Sequence, residues 1–413
     1  MGEKGHRVSH ATNRLLVVTE SLGIGGTETH LFRLLPRLAA SGWEITTFCL
    51  TGRGKRAAEL ETVGIRVSAP SQVGWAGGSV FRSPTRLAER FASLYSLARR
   101  WRPTIGHFYL PGPYLLGAPA AMAARIPIKI MSRRSSSRYQ EARPILARVE
   151  RILHKKMDGV IGNSEAVVRE LRAEDVSEEK LHLIYNGIDL PTQQPKREAA
   201  RKVLGIESGV LVGVMVANLI HYKGHHDLIR ALIHVSERLP SQWTLLLAGR
   251  DEGLKSELES LADNGGINRH VRFLGEYSGT AALLAAADFG LLTSHEEGFS
   301  NAILEGMAAG LPMIVTDTGG NPEAVLDGTT GLVVPPRNVE AIGDAILRLA
   351  NDPGLRARLG ERGRLRVQNE FSMTRCADAH DQLYRSLIDR LPQRSSQAVS
   401  ESQSPRPPEV EAI

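Results

Sequence analysis

The sequence predicts an α/β protein built from two doubly wound, Rossmann-like domains. Three observations predict it. Short β-branched or apolar runs alternate with longer helical periodicities, the pattern of buried parallel strands joined by crossover helices. The alternation runs twice, broken after Leu181 by an Asn-Gly turn and a Pro- and Gln-rich stretch. At 413 residues, 42% hydrophobic and 23% charged, the chain is also too long for one small core and ordinary in composition for a globular protein.

In chain order, residues 1–12 have nothing to bury and are expected to be disordered. Residues 15–19 (LLVVT) read as a buried strand, SLGIGG as a Gly-rich turn, and 28–40 as a helix with Leu31, Leu34, Leu35 and Leu38 on one side. Strands are expected from Trp43 and over 104–109, 126–131 and 159–162, with helices near 84–101, 113–124 and 141–157. These make a first domain, 13–190, followed by a linker, 191–207. The second series has strands at 209–217, 243–248, 271–274, 289–293 and 312–316, with helices at 224–238, 252–263, 280–286 and 301–309. It forms a second domain, 208–373. The closing helices, near 338–351, 354–369 and 374–391, outnumber the strands left for them. The last, 374–391, is therefore expected to pack back on the first domain. Residues 392–413, rich in Ser, Pro, Gln and Glu, read as a disordered tail.

Composition excludes several classes. No run approaches the ~18 apolar residues of a spanning helix, and the start MGEKGHRVSHATNR has no apolar segment of a secretory signal, so a cytoplasmic protein is expected. Cys49 and Cys376 alone support neither a disulfide framework nor a zinc site. The net charge of +6 is concentrated. Residues 125–156 hold ten Lys or Arg against two Glu, a stretch that could meet nucleic acid, an anionic membrane or a phosphorylated substrate, or be a solvated face. Aromatics at 5%, with only Tyr139 inside the stretch, argue against nucleic acid. The preceding helix, 84–101, sets Arg86, Arg90, Arg99 and Arg100 beside Leu87, Phe91, Leu94 and Leu97. An anionic membrane surface is the expected partner of this region.

The first βα turn, Gly23-Ile-Gly25-Gly26-Thr27-Glu28, lets backbone N–H groups approach a phosphate at a helix N-terminus. Glu28 stands where a dinucleotide fingerprint needs its third glycine, which disfavours a nicotinamide enzyme, and no Walker A loop is present. The most informative run is HEEGFSNAILEGMAAGLP, 295–312. Glu297 and Glu305 are separated by seven residues, with Gly298 loosening the turn and Ser300 at the N-cap of the helix from Asn301. With Glu297 in the loop and Glu305 on the helix, both flank one cleft. A sugar hydroxyl fits one end, a ribose diol the other, and a diphosphate the helix dipole between. His221, His225 and His226 straddle a loop-to-helix junction, so a metal site is disfavoured, and no Asp-x-Asp triplet occurs; no metal is expected.

These residues, followed by Gly319-Gly320-Asn-Pro-Glu323 and Asp327-Gly328-x-x-Gly331-Leu-Val-Val-Pro335, resemble the retaining glycosyltransferases of family 4, also called glycosyl transferases group 1. The likeness extends to Asn163-Ser164, Asn186-Gly187-Ile-Asp189, Lys223-Gly224 and Ala287-Asp288. It implies the GT-B fold, two Rossmann-like domains facing across a cleft, with the first on the acceptor side and the second binding a nucleotide sugar. By resemblance Glu305 holds the donor ribose and Glu297 the transferred sugar, while Lys223, Gly25 and Gly26 neutralise the diphosphate. Phe299 and the turn residues Gly298, Ser300 and Asn301 complete the donor site. Where the family commonly has an Arg, this chain has Asn218, and Arg250 is a candidate substitute. The family's sugar-facing His implies that His107 or Tyr109 lines the cleft as a catalytic residue, with Lys223 and Glu297. Arg133-Arg134-Ser-Ser-Ser137 replaces a His-containing loop, which suggests an anionic acceptor such as a lipid-linked phosphate.

The function expected is transfer of a sugar from a nucleoside-diphosphate sugar to a hydroxyl, with retention, in polysaccharide or glycolipid assembly. The donor is a co-substrate and no cofactor is expected; the acceptor is a glycan or lipid-linked. The rival readings are an epimerase or phosphorylase on the same fold, and a non-catalytic nucleotide-sugar-binding protein.

Overall fold

The computed structural model describes residues 13–23, 25–70, 83–141, 143–190 and 195–391. The expected disordered ends, 1–12 and 392–413, and residues 191–194 of the expected linker lie outside them.

The first domain runs β1 (Arg14–Thr19), α1 (Gly26–Ala40), β2 (Glu44–Cys49), α2 (Ala57–Thr62), β3 (Arg66–Ser68), α3 (Pro84–Trp101), β4 (Ile105–Tyr109), α4 (Pro111–Ala123), β5 (Ile128–Arg133), α5 (Pro144–His154), β6 (Gly159–Gly162), α6 (Glu165–Ala173) and β7 (Leu181–Leu183). Its seven strands are parallel in the order β3-β2-β1-β4-β5-β6-β7. Helices cover both faces, which is why Leu15, Leu16, Val17 and Val18 of β1 are all buried although successive side chains point opposite ways. Elements the periodicity did not single out, α2, β3 and α6, are short. A three-residue edge strand carries too few side chains to show a period.

The second domain runs α7 (Arg197–Val203), β8 (Leu211–Val216), α8 (His225–Val235), β9 (Trp243–Ala248), α9 (Lys255–Asn264), β10 (Val271–Gly275), α10 (Thr280–Ala286), β11 (Phe289–Leu292), α11 (Asn301–Ala308), β12 (Met313–Thr316), α12 (Asn321–Ala324), β13 (Gly331–Val334), α13 (Val339–Asn351), α14 (Pro353–Glu370) and α15 (Met373–Asp389). Its six parallel strands are ordered β10-β9-β8-β11-β12-β13.

One boundary is corrected. The expected linker 191–207 contains α7, whose Ala200 joins Leu204 and Ile206 in the second domain's core. Arg201 donates to the Ala286 carbonyl at 3.0 Å and pairs with Asp288, so this segment is part of that domain. At the other end α15 packs against α1, where Met373, Cys376, Leu383, Tyr384 and Leu387 lie in the first domain's core. The two crossings between domains lie side by side. The Ile188 N–H donates to the Phe371 carbonyl at 2.9 Å and the Met373 N–H to the Ile188 carbonyl at 3.0 Å.

Candidate functional site

In each sheet the strand order reverses beside the strand that starts the domain, between β1 and β4 and between β8 and β11. Ligands of open parallel sheets sit at the carboxyl ends of the strands at such a switch point. The loops after β1, β8 and β11 carry Gly25-Gly26, Asn218 to Lys223, and Glu297 to Asn301. They converge on a cleft of about 390 Å³ between the domains.

Most of the expected donor residues meet there: Gly25, Gly26, Asn218, Lys223, Arg250, Glu297, Phe299, Ser300, Asn301 and Glu305 all line the cleft. Asn301 and Glu305 are four residues apart on α11 and so share a face. The Asn301 amide donates to the Gly26 carbonyl at 2.9 Å, tying the N-termini of α1 and α11 together across the gap. Ser300 occupies the N-cap position but its side chain makes no capping bond.

Lys223 and Glu297 form the centre. The Lys223 Nζ donates to Glu297 Oε1 at 2.6 Å, and the Ser294 hydroxyl donates to the same oxygen at 2.7 Å. Burial by itself lowers the Lys223 pKa, but the Glu297 carboxylate outweighs it and holds the ammonium above its ordinary value. The backbone allows this approach because Gly224 follows Lys223 with φ of 72°; a Cβ there would lie 1.9 Å from the Thr293 carbonyl oxygen. The His295 Nε2 lies 2.6 Å from an Asp227 carboxylate oxygen, fixing the loop on α8.

Three of the expected site residues, His107, Tyr109 and Gly298, lie off the cleft. His107 and Tyr109 are two apart on β4, so their side chains share a face, and that face is covered by α15. His107 is fully buried, its Nδ1 2.7 Å from the Tyr384 hydroxyl and its Nε2 2.7 Å from the Ser132 hydroxyl, while Tyr109 lies in the same core. Burial drives the His107 pKa well below its ordinary value, so the ring is a neutral packing element. Gly298 is not on the cleft wall either: a Cβ there would lie 2.5 Å from the Arg134 carbonyl oxygen, so it lets the two domains' backbones touch. Arg250 reaches the cleft but is engaged by Glu252, its Nε donating at 2.7 Å.

The cleft also holds residues outside the expected set. Arg134 enters it from the first domain and donates to Asn186 Oδ1 at 2.8 Å; burial lowers its pKa from the ordinary arginine value. The Asn186 amide donates onward to the Phe299 carbonyl and Asn301 Oδ1, both at 2.8 Å. Asn163, Tyr222, Glu276, Tyr277 and Thr280 also line the wall. Asn163 and Asn186 were visible as motif residues; nothing in sequence pattern marks Glu276 or Tyr277. From α1, Arg33 donates to Glu305 Oε1 at 2.9 Å, so the carboxylate expected to hold a ribose is paired across the domains.

Glu150, His154 and Glu174 converge closely enough to suggest metal ligands, but the space between them is filled by Arg133. The fully buried Arg133 guanidinium donates to both carboxylates, and Gln140 donates to Glu150 at 2.9 Å. Of the ten cations of 125–156, Lys129, Arg133 and Arg138 pair with Asp158, Glu150 with Glu174, and Glu296 respectively. With Arg134 in the cleft, the stretch is not one basic face.

Two family models match, "Glycosyltransferase Family 4" over residues 24–191 and "Glycosyl transferases group 1" over residues 196–366. The chain is 29% identical over 396 residues to a glycogen synthase of Mycobacterium tuberculosis, covering 87% of this chain and 91% of that one. It is 28% identical to a D-inositol 3-phosphate glycosyltransferase of Corynebacterium aurimucosum, covering 87% and 90%. Among solved structures, HepE of Anabaena in complex with UDP and glucose superposes with a TM-score of 0.78 at 22% identity, over 90% of this chain and 99% of that one.

Proposed function

Because the chain belongs to the retaining glycosyltransferases of family 4, on the GT-B fold, and is a sugar-transferring enzyme, we propose that its cleft binds a nucleoside-diphosphate sugar and delivers the sugar to a glycan or lipid-linked hydroxyl. The observation that carries this reading is the Lys223–Glu297 pair at 2.6 Å between two helix N-termini, with Glu305 further along α11. The UDP held by HepE supports the donor class.

In this reading the diphosphate leaves against Lys223, Arg134 and the N-termini of α1 and α11, through an oxocarbenium-like state. Preorganised charge in a water-poor cleft stabilises a developing anion without reorganising. Arg134, from the opposite domain, supplies the counter-charge that Asn218 cannot. Glu297 is held by Lys223 and Ser294 and therefore orients the sugar's hydroxyls rather than attacking. The departing phosphate takes the acceptor's proton. The ribose diol binds Glu305 by displacing or sharing Arg33. No organic cofactor and no metal enters this scheme.

The test incubates the enzyme with UDP-, GDP- and ADP-sugars and with glycan or lipid acceptors, with and without EDTA, and reads product by mass spectrometry and anomeric configuration by NMR. Transfer with retention, unchanged by EDTA, is expected. Absence of transfer from every donor, an inverted product, or loss of turnover on chelation that divalent cations restore would each overturn the scheme.

A further inference from the structure

Exposed apolar side chains scattered singly are ordinary, but of those left exposed among the described residues three lie together on α5. Ile145 is 79% exposed, Val149 38% and Ile152 56%. At about 100° per residue these three fall on one stripe, with Arg148 and Arg151 alongside it and Lys155 and Lys156 directly after the helix end, while Glu150, Leu153 and His154 are buried. The only acid between residues 143 and 156 is Glu150, and it is buried on Arg133. The outward side of α5 presents Arg148 and Arg151, and Arg143, Lys155 and Lys156 flank its two ends, all exposed and none ion-paired among the described residues, around an apolar stripe. On α3, by contrast, Leu94 is buried and Leu87, Phe91 and Leu97 pack against the core, so that helix offers charge without a matching apolar stripe.

We propose that α5 is a membrane-seating helix that sets its Ile145–Val149–Ile152 stripe into the headgroup and acyl boundary of an anionic bilayer while the five cations meet lipid phosphates. An apolar stripe bordered by unpaired cations matches that boundary: aliphatic side chains leave water, and long basic side chains reach the phosphates. Nucleic acid offers phosphate but nothing for the isoleucines to enter. No helix among the described residues is long and apolar enough to cross a membrane, so attachment through α5 is peripheral and reversible. The inference goes beyond the transfer reaction and stands whatever the acceptor is.

The experiment sediments the full chain with phosphatidylglycerol or phosphatidylcholine vesicles, beside Ile145→Ser/Ile152→Ser and Arg148→Glu/Arg151→Glu variants checked for unchanged melting. Binding to the anionic vesicles alone, release at roughly half-molar salt, and about tenfold weaker partition for each variant are expected. An Ile145→Trp variant should show blue-shifted emission with phosphatidylglycerol, relative to the wild-type chain under the same conditions. Wild-type protein left in the supernatant would overturn the proposal. So would equal binding to both vesicle types, serine variants that partition like wild type, an Ile145→Trp variant whose emission does not shift, or retention on duplex DNA without vesicle binding.

Discussion

Glu305 illustrates how one carboxylate serves two partners in turn. In the structure it accepts from Arg33, and in the proposed complex it accepts from the ribose diol. Glu305→Gln keeps the shape and removes the charge, so nucleotide affinity should fall by about 1.5–3 kcal/mol, the range for hydrogen bonds to charged groups. Calorimetric titration with UDP, GDP and ADP measures it; wild-type affinity for all three would refute the assignment. Lys223→Ala should act differently. It removes a cation that matters most when the diphosphate bears its full leaving charge, so kcat should drop by a factor corresponding to several kcal/mol while KM changes less. A variant with kcat near wild type would place the counter-charge elsewhere, with Arg134 the next residue to examine.

At the scale of elements, a buried charge cluster holds the first domain together. Arg133 at the end of β5 is enclosed by Glu150 of α5, Glu174 after α6, Tyr139 and Gln140. Burial raises a carboxyl's pKa, but bonds from His154 and Arg133 overcome this for Glu174 and hold it at about 2. Removing the cation strands two buried carboxylates, so Arg133→Ala should cost about 3–5 kcal/mol in urea unfolding, far more than a surface arginine. A loss below about 1 kcal/mol would show that the cluster rearranges or admits water. Because α5 is anchored through this cluster, its outer stripe keeps a fixed orientation. A second anchor joins the domains: Glu323 of α12 accepts from the Glu165 and Ala166 N–H groups at 2.7 and 2.8 Å, capping α6 of the other domain.

For the whole molecule, the return of α15 to the first domain creates a buried group of His30, His107 and His380 beneath the cleft, faced by Arg134, Tyr109, Tyr384 and Cys376. Burial, with Arg134 adding to it, depresses all three histidines, His380 from 6.5 to about 4. Below pH 6.5 the unfolded chain takes up these protons while the folded chain does not. Stability is therefore full above 6.5 and falls as pH drops toward 4, by about 1.4 kcal/mol per pH unit for each histidine. Glu174 extends the loss in the same direction, from its ordinary 4.5 down to about 2. Thermal melts across pH 7 to 4.5 should show a steep fall in Tm that is reduced in His380→Gln. A flat profile would mean that the histidines are protonated in the folded state.

The repeated alternation of apolar strands and amphipathic helices determined both domains, because parallel sheets buried on two faces write their strands as continuous apolar runs. The glycine turn, Lys223-Gly224 and the Glu297 to Glu305 run were equally legible. Each is a local device whose geometry, a turn or a helix face, follows from neighbours in the chain. What the sequence did not reveal depends on contacts between distant segments. His107 and Tyr109 end a strand as cleft residues would, but α15, more than 260 residues later, closes over their face. The basic run from 125 to 156 reads as one charged patch until folding separates it. Arg133 turns to Glu150 and Glu174, Arg134 enters the cleft, Lys129 and Arg138 pair with Asp158 and Glu296, and the cations on and beside α5 stay exposed with no ion pair among the described residues. Spacing along the chain fixes which side chains share a face, but the burial of that face is decided by whichever element the tertiary structure lays upon it.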